Sequence, residues 1–116
     1  MVSKTLIQEI YQLEADFCSA LSDPTRLLIL CTLSDKPRNV TELSDELNVI
    51  QPTISRHLKV LRERGLVYTV RNGPSVTYHL SDQRLIQALD LLRAVMRDRM
   101  AHHASLVEET KAASNA

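Results

Sequence analysis

A mainly α fold carrying a single β-hairpin (α+β class) is predicted by three observations. Two short amphipathic patterns abut, with Val40, Leu43 and Leu47 on one face before Asn48 and Ile54, Leu58 and Leu61 on one face after Pro52. Directly behind them, Leu66–Val70 and Val76–Leu80 are β-branched and aromatic runs separated by Asn72-Gly73-Pro74, the residues of a tight hairpin turn. At the two ends of the chain, Leu6, Ile10, Leu13 and Phe17, and then Leu85, Leu89, Leu92, Met96 and Met100, form narrow apolar seams. Two helices, a three- or four-residue link and a hairpin make a winged helix-turn-helix, of about five helices and two antiparallel strands. Seams at both termini imply a dimer packed through the terminal helices.

In chain order, a first helix is expected over Ser3–Leu21. Ser22-Asp23-Pro24 should break it, since Ser or Asp caps free N–H groups and Pro is tolerated in a first helical turn. The next helix runs to about Leu33 through "TRLLILCTL", apolar on nearly every side and therefore central to the core. Pro37 lies in the loop before the third helix, Val40–Leu47. The fourth, the recognition helix, is expected over Pro52–Arg64 and is closed by Gly65. After the hairpin, Ser81 or Asp82 opens a long last helix reaching at least Ala101. Residues 1–110 are read as one domain, and 111–116 as a disordered tail.

The 116 residues carry a formal net charge of zero, which taken alone argues against nucleic acid. The distribution argues for it. Met1–Ile50 holds four basic residues against eight acidic, whereas Gln51–Asn72 holds Arg56, Lys59, Arg62, Arg64 and Arg71 against Glu63 alone. Phosphate affinity follows local density of Lys and Arg, so this segment is a candidate for a DNA face. The first residues do not form a leader pattern and no apolar stretch approaches a membrane span, so a soluble, cytoplasmic protein is expected. Two cysteines, Cys18 and Cys31, are too few for a disulfide framework. Enzymatic readings have little support: no nucleophile motif or paired carboxylates are evident, and the only glycines are Gly65 and Gly73.

The order of "ALSDPTRLLILCTL", "VTELSDELNVIQPTISRHLKVLRERGLV" and "RNGPSVTYHL" resembles the ArsR/SmtB family of small dimeric bacterial winged-helix repressors over about residues 10 to 100. The resemblance implies a repressor that binds an inverted repeat over its own promoter and dissociates when an inducer binds. Ile50 departs from the pattern, standing where many relatives place a capping Ser, so the cap is expected to shift to another residue.

The expected contacts to double-stranded operator DNA are Gln51, Thr53, Ser55, Arg56, His57 and Lys59 on the recognition helix, with Arg71 and Asn72 in the wing. Gln and Asn pair bidentately with adenine and Arg with guanine, while Thr and Ser mostly position the protein on phosphates. The bland alternative is a solvated charged face. For the inducer, the resemblance implies thiolates in the third helix or Asp, His and Glu along the last helix. The third helix has no Cys, and Arg84 and Val95 occupy positions where relatives present His. Asp98, His102 and His103 remain a candidate metal set completed by a partner chain, against a solvated helix end. No cofactor is needed for the fold itself, and a metal or metalloid inducer stays open. Cys31 matches the cysteine of relatives that sense persulfides or oxidants, and Cys18 is its only available mate. The competing reading makes Cys31 a small core residue and Cys18 a helix-face residue. A protein-interaction module without DNA binding is the rival from another class.

Overall fold

The structure is a computed structural model describing residues 2–115, with side chains through Lys111. Two compact units make up the chain, Met1–Gln83 and Arg84–Ala116. In the first, α1 spans Lys4–Leu13, α2 Pro24–Asp35, α3 Val40–Leu47 and α4 Gln51–Glu63, followed by β1, Val67–Asn72, and β2, Ser75–Leu80. The second unit is one helix, α5, Arg84–Asn115. The fold class and element order agree with the sequence reading.

The first helix departs from expectation, because it is not α-helical to Leu21. After α1 the chain makes a π turn, Glu14–Cys18, and a 3-10 turn, Ala20–Ser22. The Ser19 N–H reaches back five residues to the Glu14 carbonyl, at 3.0 Å. Apolar spacing of 4, 3 and 4 does not distinguish the two hydrogen-bond patterns, so the break was invisible to periodicity.

Asp23 then caps α2, its Oδ1 accepting from the N–H groups of Thr25 at 2.8 Å and Arg26 at 3.2 Å. Helix α2 buries Ile29, Leu30 and Leu33, against Leu43 of α3, Ile54, Leu58 and Leu61 of α4, and Leu66 and Val67 beyond it. Leu28 and Cys31 are exposed, so α2 is buried on one face and not all round. The core reading of Cys31 is thereby corrected.

Asn39 and Glu42 form a reciprocal capping box at the start of α3. Asn48 ends it in the left-handed conformation, φ +54°. Recognition helix α4 begins at Gln51, one residue before the expected start, and its cap residue Ile50 offers no side-chain acceptor. Among the described residues, no side-chain cap hydrogen bond is made at this helix start. The C-terminus of α4 is a Schellman motif: Gly65, at φ +75°, donates to Arg62 O and Leu66 donates to Leu61 O. Gly65 is required there for its positive φ.

The hairpin pairs Asn72 with Ser75 and Val67 with Leu80, leaving Gly73 and Pro74 as a two-residue turn. Gly73 has φ +61°, and Pro74 cannot follow it with positive φ, which selects a type II′ turn over type I′. One further bridge joins Arg38 to Tyr78, where the two backbones exchange hydrogen bonds of 3.2 and 2.8 Å.

Helix α1 buries no residue: Leu6, Ile10 and Leu13 are exposed and only Phe17, in the π turn, is half-buried. On α5, Leu85 and Leu89 are half-buried while Leu92, Met96 and Met100 are exposed. That helix continues through Asn115, and Lys111, Ala112 and Ala113 are good helix formers. Among the described residues, no helix is long and apolar enough to cross a membrane.

Candidate nucleic-acid interface

Helix α4 turns Ile54, Leu58 and Leu61 inward, which forces the residues between them outward on the 3.6-residue period. Gln51, Ser55, Lys59 and Arg62 form one exposed row, and Arg56 stands exposed beside it. Thr53 is half-buried at the margin of this face. Gln51 Nε2 donates to Thr41 Oγ1 at 3.5 Å, a bond to α3 across the turn between the helices. In the wing, Arg71 and Asn72 are exposed beside the turn. Of the eight residues read from sequence as DNA contacts, seven therefore keep at least part of their side chain accessible.

His57 is the exception. It is 7% exposed, packed beneath the N-terminus of α2, where Arg26 Nη1 donates to its Nδ1 at 3.3 Å and its Nε2 lies 3.9 Å from Asp23 Oδ1. Its assignment as a DNA contact is corrected for that reason. The signal was present in the sequence: His57 is three residues after Ile54 and four before Leu61, inside the apolar stripe. Arg26 was missed altogether. Its only hint is its place three residues beyond a helix cap.

Asp23 has a titration that reports on this corner of the molecule. Burial pushes its carboxyl up, but the Arg26 and Thr25 N–H bonds, with attraction from His57 and Arg26, outweigh burial and hold it below its ordinary value of 3.8. A depressed folded-state pKa favours folding above the unfolded value and loses that contribution as pH falls through the folded one. The stability gap between wild type and Asp23→Asn in urea unfolding is expected to be constant between about pH 5 and 7 and to shrink below about pH 4. A gap that persists unchanged through the acid range would show that the charge of Asp23 contributes nothing.

Other expected sites fare differently. Asp98 and His102 share a face of α5 at i, i+4, but His103 points about 100° away from His102, and the described residues contain no cluster of three His, Cys, Asp or Glu able to hold a metal. The candidate set is not assembled by this chain alone. Cys18 and Cys31 are both free and exposed.

An exposed basic helix, buried on its other face and followed at once by a basic hairpin, defines a winged helix-turn-helix transcriptional regulator. Comparisons with known proteins agree. Residues 23–69 match the family model described as bacterial regulatory protein, arsR family. The chain is 37% identical over 81 residues to the biofilm growth-associated repressor of Xylella fastidiosa, covering 70% of this chain and 71% of that one. Among solved structures, the transcriptional repressor BigR from Xylella fastidiosa superimposes with a TM-score of 0.69 at 32% identity, covering 81% of this chain and 96% of that one. A homodimeric winged helix-turn-helix DNA-binding domain from Mycobacterium bovis gives a TM-score of 0.73 at 25% identity, covering 87% and 93%. The chain belongs to the ArsR family of transcriptional repressors. Its relatives and structural neighbours are regulators, not enzymes.

Proposed function

We propose that this protein binds an inverted-repeat operator as a cytoplasmic homodimer and leaves it when an inducer acts, with thiol modification at Cys31, paired with Cys18, as the releasing chemistry. The observation that carries the DNA reading is the exposed row of Gln51, Ser55, Lys59 and Arg62 with Arg56 beside it, continued by Arg71 and Asn72. The dimer is supported by the uncovered seam of α1 and by the homodimeric neighbour. Residues 1–110 act in this reading as one functional domain. The thiol reading is supported by the exposure of both cysteines. A polysulfide would take two electrons from the two thiols: one of its own S–S bonds breaks, its two fragments leave as reduced sulfur with the two thiol protons, and the Cys18–Cys31 S–S bond forms, provided their Cα atoms come within about 7 Å.

The deciding experiment is fluorescence anisotropy on duplex DNA from upstream of the coding sequence, with reduced protein and with protein treated with a polysulfide donor. Tight binding when reduced, lost on treatment and retained in treated Cys31→Ser, is the expected result. Equal binding in both states sinks the thiol switch. Affinity should also fall linearly on a log–log plot against salt, with a slope set by phosphate contacts. Arg56→Ala is expected to weaken binding by about 1 to 3 kcal/mol, and an unchanged affinity would remove Arg56 from the contact list.

A further inference from the structure

The π turn changes which backbone groups the first helix leaves free. Three carbonyls around it are taken by arginine side chains. Arg64 Nη1 donates to Ala15 O at 3.1 Å; Arg26 donates through Nε to Ala20 O and through Nη2 to Ser19 O at 3.4 Å. Both arginines also reach the recognition helix. Arg64 is its C-cap residue, further held by Asp16 at 3.8 Å, and Arg26 bonds His57 in its middle. A guanidinium only donates, so in the neutral ring His57 Nδ1 accepts and the ring proton sits on Nε2, facing Asp23.

We propose that Arg26, Arg64 and His57 are positioning residues that fix the pose of α4 against the irregular end of the first helix. The seam of α1 and the reading face of α4 are thereby mechanically coupled. Contacts at the two ends of this linkage lie in one compact unit, and each is a charge-assisted or cation-donated bond. The inference rests on the DNA-binding reading above.

The test is anisotropy on the same upstream duplex with the full-length chain, comparing wild type, His57→Leu, His57→Asn and Arg64→Gln at several salt concentrations. Melting curves set a working temperature at which every variant is folded. His57→Leu and Arg64→Gln are each expected to bind about tenfold more weakly, the loss of one bond to a charged group, with the wild-type salt slope. His57→Asn, whose amide oxygen can replace Nδ1 as acceptor, should recover most of the affinity. Wild-type affinity in both weakened variants overturns the proposal, as does a slope reduced by about 1, which marks a lost phosphate contact. Should His57→Leu fail to fold, Arg64→Gln decides alone, since the Arg64 side chain is 43% exposed. A wild-type chain that binds no duplex overturns the DNA reading itself, and this proposal with it.

Discussion

Ile10→Asp is expected to sediment as a monomer at micromolar concentration and to bind operator DNA at least about a hundredfold more weakly than wild type, because linked half-site binding gains its affinity from effective concentration. The argument starts from α1. Its residue Ile10 is 53% exposed in the single chain, flanked by exposed Leu6 and Leu13, and α1 buries nothing at all. An amphipathic helix of ten residues has little reason to persist in water unless its apolar stripe is covered. A two-fold interface repeats any change, so each substituted dimer would bury two unpaired carboxylates. Ile10→Leu, which conserves volume and polarity, serves as the control and should behave as wild type. If the aspartate variant remains dimeric, α1 is not part of the dimer contact; if it is monomeric yet binds normally, the two-fold DNA reading fails.

Arg38→Ala is expected to cost about 2 to 4 kcal/mol of unfolding free energy, measured in urea with an unchanged slope. Arg38 is 6% exposed in the first unit and ties three elements together. Its guanidinium donates to Thr32 O and, at 2.7 Å, to Lys36 O, which are carbonyls at the C-terminal end of α2. It also donates to Glu46 of α3 at 3.0 and 3.3 Å, while its backbone bridges Tyr78 in the wing. The carbonyl bonds should dominate over the Glu46 pair, whose carboxylate side chain is 44% exposed. The bridge to Asp35 is worth little, because that carboxylate is 77% exposed. Asp35→Ala should therefore leave stability within about 0.5 kcal/mol of wild type. An Arg38→Ala loss no larger than that would mean that these carbonyls are satisfied equally well by water.

The parts of this fold that were legible in the sequence are those whose cause is local. Val40, Leu43 and Leu47 define α3 by period, and Gly65 and Asn72-Gly73-Pro74 mark a helix end and a turn that only such residues suit. The polar face of α4 followed from the same period, because placing Ile54, Leu58 and Leu61 inside leaves Arg56 and Lys59 outside. What escaped has a non-local cause. The π turn is accompanied by Arg64, 49 residues away, donating to its Ala15 carbonyl, while Arg26 takes the Ala20 carbonyl just beyond it. Arg38 pairs with a strand forty residues on through a single bridge, too short to leave a strand pattern. His57 lay within the legible stripe, yet its polarity outweighed its position; burial beside Arg26 and Asp23 reconciles the two.

The turn at the tip of the wing has a thermodynamic consequence for association. A loop that must become ordered on docking loses conformational freedom at that moment, and the loss subtracts from affinity. Here the turn consists of Gly73 already at φ +61° and of Pro74, whose ring restricts its own φ. Most of the ordering entropy of this tip is therefore spent when the chain folds, and in the proposed DNA complex little would remain to be lost at Arg71 and Asn72. In the proposed complex a wing of this kind would dock as a rigid body. Substituting Pro74 with glycine would be felt in the entropy of association while every contact stayed in place.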